Sequence, residues 1–296
     1  MLTPTPPVDA ISATAPLLAP AYLAGPLPDL AAWTRYFQDA DIPVLTSTAM
    51  ALERLRARED DVDANMLGEV IQADPLMTIK LMAHVASKRR IGSGTETESV
   101  TSSLLLMGVA PFFREFGPQP TIKDRLRTVP LALDGLRALM QRAKRAAHFA
   151  LGFAVHRADP DASVIHMAAF LYDFAEMLMW CHAPTLQLQI AQAQQADHAL
   201  RTAAVQRSVL HIEVDDLRQN LMSHWHLPEL LVRICDNRHA EQAIVRNVVL
   251  AVRLARHTTQ GWDNAAVPDD VNDIAQLLNA SPRAALAYLH KIDQAG

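Results

Sequence analysis

Histidine is the residue type in this sequence with the most potential for metal chemistry, because the chain contains twelve. A metal held by one helix needs ligands three or four residues apart, or an adjacent pair supported by ligands from elsewhere. His148 and His156 are eight residues apart, and His224 and His226 are two apart, so neither pair can share an ion on a helix. The spacing alone therefore predicts no metal site and no cofactor.

Other sequence signatures of catalysis are also missing. The chain has no G-x-S-x-G motif, no P-loop and no dinucleotide-binding fingerprint. Its acidic runs at 59–61, 215–216 and 269–270 lie where helices are expected to begin, and the helix dipole explains acidic side chains there. Cys181 and Cys235 form no disulfide framework, and we interpret them as small buried apolar residues.

The spacing of apolar residues predicts helices nearly throughout the chain after residue 42. Asp74 and Pro75 are expected to cap and open one of them, and Gly108 to end the next. The predicted helices are about 46–55, 62–71, 75–85, 100–107, 133–157, 163–180, 199–209, 213–224, 228–234, 240–258, 271–278 and 282–290. No segment alternates as a strand does, and glycines number only ten, so the predicted class is all-α.

Proline content divides the chain. Seven prolines lie within the first 30 residues, which predicts an extended arm that we assign to residues 1–37. Residues 38–292 are then the helical domain. Its first lobe is about 38–117, a polar, proline-containing connector spans 118–130, and the second lobe is about 131–292.

Composition restricts the classes of function. The net charge of −5 argues against nucleic-acid binding, although local basic clusters occur at 88–90, 123–127 and 142–145. We find no apolar run of the ~18 residues that a membrane span needs. The first basic residue is Arg35, so no secretory signal is predicted, and the expected location is the cytoplasm.

Two groups of short motifs resemble the HDOD (HD-related output domain) family of signal-transduction proteins. The first group is residues 42–45 (IPVL), 70–76 (VIQADPL), 80–82 (KLM) and 104–108 (LLLMG). The second group is residues 168–175 (AAFLYDFA) and 225–229 (WHLPE). The resemblance covers roughly residues 38 to 292, and it implies a two-lobed helical bundle related to the HD-domain fold.

The resemblance also implies where the metal ligands of the related HD phosphohydrolases would fall. The first histidine of the HD pattern falls near Arg142, and the His-Asp dyad falls on Tyr172 and Asp173. Two further ligand positions fall on Val214 and near Val252, and a late histidine pair falls on 237–239, where only His239 remains. The resemblance therefore implies a dismantled metal site, in which Arg142 pairs with Asp173.

The sequence leaves three functions open. The first is a non-enzymatic signalling module that binds a protein partner or a small ligand. A remnant pocket bordered by Arg142, Tyr172, Asp173 and His239 could take an anion, although we favour a buried ion pair at those positions. The second is a divergent metal-dependent phosphohydrolase acting on nucleotides or cyclic dinucleotides, and the third is a nucleic-acid-binding regulator, which the acidic charge disfavours. The sequence indicates no oligomeric state.

Overall fold

The computed structural model describes residues 21–88, 99–197 and 200–295. The described part of the chain contains α-helices and no β-strand, which confirms the all-α prediction. The helices are α1 Leu30–Asp39, α2 Thr46–Arg56, α3 Ala64–Gln72, α4 Pro75–Lys88, α5 Val100–Met107, α6 Val109–Glu115, α7 Ile122–Arg125, α8 Pro130–His156, α9 Ala162–Leu171, α10 Phe174–His182, α11 Pro184–Ala196, α12 Thr202–Leu210, α13 Val214–His224, α14 Glu229–Ile234, α15 Ala243–His257, α16 Val267–Leu277 and α17 Pro282–Ala295. The first 20 residues of the predicted arm and the polar loop around residues 92–98 lie outside the described residues.

Buried apolar side chains form two cores. The smaller core is built from residues between Val44 and Phe116, and it includes Leu67 and Phe112, both fully buried. The larger core gathers α8 to α17, and its centre includes Phe149, which is also fully buried. The two cores make the bundle two-lobed, because each lobe excludes water from its own set of side chains.

Helix α4 belongs to both cores and joins the lobes. Its residues Leu76, Ile79 and Met82 pack into the larger core, at the three-residue spacing of one helix face. The opposite face, including Met77 and Leu81, packs into the smaller core. As predicted, α4 opens at Pro75, and the Asp74 carboxylate accepts hydrogen bonds from the amides of residues 76 and 77. A helix with two apolar faces can pack against a core on each side, which suits a joint between lobes.

The end of the segment assigned to the arm is helical. Helix α1 begins at residue 30. The side chain of Asp29 caps it by accepting a hydrogen bond from the amide of Ala32. Trp33 and Phe37 are buried in the larger core, and the Trp33 indole donates to the carbonyl of Leu210 at 3.0 Å. The described part of this segment therefore packs on the second lobe. The helix is unbroken because the last proline of the segment, Pro28, precedes it.

Helices α6, α7 and α11 were not predicted, and the predicted helix over 163–180 is two helices. The connector carries α7, and a single parallel β-bridge ties Thr121 in it to Val44 of the first lobe. Helices α9 and α10 are separated by Tyr172 and Asp173, so these two residues lie at a break in the chain's most apolar segment.

That apolar segment also corrects the expectation about membrane-length runs. The stretch Ala162–His182 is 21 residues long and contains an 18-residue window with a mean hydropathy of 1.3, which is long and apolar enough to span a bilayer by composition. In the fold, 89% of its apolar window is buried inside the protein. Its hydropathy is explained by its position in the centre of the larger core, where it is surrounded by other helices rather than by lipid.

Candidate functional site

Three elements bring together two of the residues that the HD resemblance singled out, Arg142 and Asp173, and a further acid, Glu176. Arg142 lies in the middle of α8, Asp173 lies at the break between α9 and α10, and Glu176 lies in the first turn of α10. Helix α8 packs against both α9 and α10, so a long side chain on α8 reaches the break directly. The site is therefore positioned by helix packing across the larger core.

Arg142 is the charge partner of two carboxylates. Its Nη2 atom is 3.1 Å from Oδ2 of Asp173, with hydrogen-bond geometry, and 3.5 Å from Oε2 of Glu176. The side chains of Arg142 and Asp173 are only 19% and 8% exposed, so this is a largely buried ion pair. The predicted pairing of Arg142 with Asp173 is confirmed, and Glu176 is an additional member of the cluster.

Burial and charge act differently on the two acids. Burial alone would raise the pKa of Asp173, but the positive charges of Arg142, Arg256 and Arg218 outweigh it and hold that pKa below its ordinary value. Burial raises the pKa of Glu176, and the attraction of Arg142 does not fully offset this rise. Asp173 therefore carries the negative charge that neutralises Arg142, and Glu176 holds its proton more readily.

Tyr172, which stands where the HD dyad has its histidine, turns toward a different cluster. Its hydroxyl donates a hydrogen bond to Oδ1 of Asn237, and burial raises its pKa to about 12. The guanidinium of Arg218 lies 3.9 Å from the centre of the Tyr172 ring, a close cation–π contact. Arg218 also donates to the carbonyls of Tyr172 and Cys235, at 3.3 and 3.0 Å, and so holds the backbone at the α9–α10 break.

His239 lies outside this arrangement. Its side chain is 51% exposed, and its ring nitrogens are 3.8 Å from Asp236 and 3.4 Å from Glu241. Within the described ranges it has no hydrogen bond or ion pair with Arg142 or with either residue of the former dyad. The four residues predicted to border one pocket therefore do not form a single constellation, because the 3₁₀ turn Asn237–His239 directs Asn237, and not His239, toward Tyr172.

Sequence reasoning missed Glu176 and Arg218, and it matched Asn237 only to a lost histidine position. The signal for Glu176 was available, since it is the one acidic residue in the otherwise apolar α10. An acid in such a helix is rare unless it is paired. Arg218 gave no signal, because it lies among other polar residues in the sequence and only the fold shows that it is buried. The HD resemblance pointed to residues 237–239, but only the fold shows that Asn237 contacts Tyr172.

Metal-ligating side chains do not converge in the part of the chain that the structure describes. Across residues 21–88, 99–197 and 200–295, no three His, Cys, Asp or Glu side chains form a group that could hold a metal ion. The positions matched to two further HD ligands, Val214 and Val252, are apolar and buried.

Comparison with known proteins places the chain in a family. Residues 42–241 match the HDOD domain, which is more than half of the chain, and the chain belongs to the HDOD domain family. No curated protein matches the sequence. The fold is similar to that of the MmoQ response regulator from Methylococcus capsulatus str. Bath, at 20% identity and a TM-score of 0.57, covering 80% of this chain and 98% of that one. It is also similar to a virulence factor from Campylobacter jejuni subsp. jejuni, at 15% identity and a TM-score of 0.61, covering 90% and 95% of the two chains.

Proposed function

We propose that this protein is a non-catalytic regulatory module of bacterial signal transduction that has lost the ancestral metal site and acts by binding a protein partner or a small ligand. The observation that carries the proposal is the ion pair at the former dyad. The guanidinium of Arg142, and no imidazole, faces Asp173 at 3.1 Å. An arginine at this position supplies the positive charge that a metal would supply in a hydrolase.

The residues at this place do not fit a divalent metal. A hydrolytic ion needs about three protein ligands and an open position for water. Here the oxygens of Asp173 and Glu176 already face Arg142, and the charge of Arg256 acts on both acids as well. Tyr172 has a pKa of about 12, so its phenol stays protonated near neutral pH and is a poor ligand.

A signalling role is supported by the family and by the fold. The chain belongs to the HDOD family, and one similar fold is described as a response regulator. We infer that the protein works in the cytoplasm, where signalling proteins meet soluble partners. Fold similarity at 20% identity does not identify the partner, so we propose a partner only as a class.

Metal analysis of the untagged protein tests the loss of the site directly. We expect less than about a tenth of an ion per chain by inductively coupled plasma mass spectrometry, because two carboxylates that face an arginine hold no ion through purification. The matched variant is Asp173→Asn, which removes the one acid left from the dyad. About one ion per chain in the wild type, lost in this variant, would contradict the proposal.

The alternative function is a divergent metal-dependent phosphohydrolase. It predicts hydrolysis of a cyclic dinucleotide or of bis-p-nitrophenyl phosphate when Mn²⁺ or Mg²⁺ is added, and loss of that activity in Asp173→Asn. We expect no activity above the buffer rate in either protein. Activity that depends on both the metal and Asp173 would establish the alternative and end the non-catalytic proposal.

The remnant pocket is the less favoured form of the small-ligand proposal. Arg142 already faces two carboxylates, and His239 lies elsewhere, so neither of these two predicted pocket residues is available to an incoming anion. We therefore propose that the Arg142 cluster stabilises the fold. In that case Arg142→Ala lowers the stability and leaves the binding of a captured partner unchanged at a temperature where the variant is folded.

A further inference from the structure

A cleft with a volume of about 230 Å³ lies between α8 and the end of α17. None of the residues that line it belongs to the Arg142 cluster. Its lining includes Lys144, Arg145, His148 and Phe149 from α8, and Ile292 and Asp293 from α17. The cleft therefore offers charged, aromatic and aliphatic groups side by side, as small-molecule sites do.

Asp293 is the acid among the described residues that line the cleft, and its charge is already neutralised. Both carboxylate oxygens of Asp293 accept hydrogen bonds from Arg145, one of them from Nη2 at 2.7 Å, and the indole of Trp262 donates a third at 3.1 Å. Hydrogen bonds from Arg145 lower the pKa of Asp293, so the acid stays ionised and its charge is cancelled by that arginine. Arg145 is fixed in turn by a hydrogen bond to the carbonyl of Thr258 at 2.8 Å.

Lys144 is the cation that remains. It is exposed on α8, and it has no carboxylate within ion-pair distance among the described residues. With Arg145 and Asp293 cancelling each other, Lys144 gives the cleft a net charge of +1. The ring of His148, one turn further along the same helix face, adds an N–H donor. The electrostatics of the cleft therefore favour a negatively charged ligand.

The floor of the cleft is apolar and held rigidly. Phe149 is fully buried, with the Arg145 guanidinium 5.4 Å from its ring centre and Trp262 edge-on at 6.4 Å. On the other side Ile292 packs so closely on α8 that a Cβ at Gly152 would be 2.4 Å from its terminal methyl. A wall that is fixed before binding loses little conformational entropy when a ligand arrives.

We propose that this cleft binds a small organic anion, with its acidic oxygens at Lys144 and His148 and a compact apolar group against the partly exposed side chain of Ile292. The volume is below the roughly 300–1,000 Å³ of drug-sized sites, which limits the ligand to about ten non-hydrogen atoms. A carboxylate and a phosphate monoester share the required chemistry. The site does not depend on whether the ancestral metal site is lost.

The terminal methyl of Ile292 is a probe inside the cleft. In the full-length protein labelled with ¹³C at isoleucine δ1 methyls, its resonance is assigned by its disappearance in Ile292→Leu. Titrations with phenyl phosphate, benzoate, phenol and inorganic phosphate at constant ionic strength then separate the contributions of charge and apolar surface. We expect saturable shifts with at least one of the two aromatic acids, and affinities at least about tenfold weaker for phenol and for phosphate.

Charge variants on one helix complete the test. Lys144→Gln is expected to lower the affinity for the aromatic acid about five- to tenfold, because it removes one partly exposed charge contact. Arg137→Gln removes an equal charge from α8 outside the cleft lining and is expected to change the affinity less than twofold. The proposal is overturned if neither acid shifts the Ile292 methyl saturably, if phosphate alone binds as tightly as phenyl phosphate, or if both variants weaken binding equally. Metal content is measured separately, so failure here is distinguishable from failure of the proposed function.

Discussion

Acidification should loosen the contact of α10 with α1 and α7 at the buried residue His182. His182 ends α10, and its side chain is almost fully buried. Its Nδ1 atom is 3.0 Å from the Tyr36 hydroxyl and 3.1 Å from Nη2 of Arg125, and its Nε2 atom is 2.9 Å from the carbonyl oxygen of Asp41. Since arginine can only donate, Nδ1 must accept, and Nε2–H must donate to Asp41. The histidine is therefore neutral in the folded protein, and it joins α1, α7 and α10.

The magnitude follows from the pKa. Burial lowers the pKa of His182 from an ordinary 6.5 to about 4, and the charge of Arg125 contributes. A histidine with a depressed pKa binds fewer protons in the folded protein than in the unfolded protein. Its contribution to the free energy of unfolding is therefore complete above pH 6.5 and is lost as the pH falls toward 4. The loss in the free energy of unfolding is about 3 kcal/mol over the whole interval and about 2 kcal/mol between pH 7.5 and pH 5.

Urea unfolding followed by circular dichroism, between pH 7.5 and pH 5, measures the effect. His182→Gln keeps an amide donor but cannot be protonated, so we expect it to be less stable than the wild type at pH 7.5 by about 1–3 kcal/mol. The gap should narrow by about 2 kcal/mol at pH 5, because only the wild type loses stability through this residue. His224→Gln, at an exposed position of α13, is the control and should leave the pH dependence unchanged. A gap between wild type and His182→Gln that stays constant with pH would refute the reasoning.

Two further substitutions test the packing and the charge pairing of α8. Gly135→Ala would place a Cβ 2.6 Å from the indole ring of Trp180, and it should lower the free energy of unfolding by about 1–3 kcal/mol. In the control, Gly117→Ala, the added Cβ meets no atom within 4 Å, and the free energy of unfolding should change by less than about 0.5 kcal/mol. Equal effects of the two would show that the indole moves aside freely. Arg142→Met removes the guanidinium that contacts Asp173 and Glu176, and it should lower the free energy of unfolding by about 2–4 kcal/mol at pH 7. Arg137→Met removes an exposed ion pair and should change the free energy of unfolding by less than about 0.5 kcal/mol. A stable Arg142→Met protein would show that the acids are solvated or protonated without the arginine.

Local pattern was enough for much of the fold. The predicted helix over 133–157 corresponds to α8, and Asp74 and Pro75 cap and open α4 as their residue types require. These predictions succeeded because an amphipathic helix repeats its apolar residues every three to four positions and caps use a few residue types. The pairing of Arg142 with Asp173 was also anticipated, since a family resemblance aligned the two positions.

Other elements were hidden because their sequences carry weak or conflicting signals. Helix α1 follows a proline-rich stretch, and composition suggested an arm until the structure showed Trp33 buried in the larger core. Helix α11 alternates glutamine with small and apolar residues, which leaves only a weak periodic face.

Beyond the pairing of Arg142 with Asp173, only the tertiary structure decided the site. The apolar run from 163 to 180 gives no local reason to break at Tyr172, and the carbonyl there is bound by Arg218, which is 46 residues away in the sequence. Helix α4 gives a second example. Both of its faces are apolar in the sequence, but the core that each face enters depends on which helices surround it. Periodicity specifies which face of a helix avoids water, whereas the partner that covers that face, and the charge that meets a buried acid, are set by contacts between segments distant in sequence.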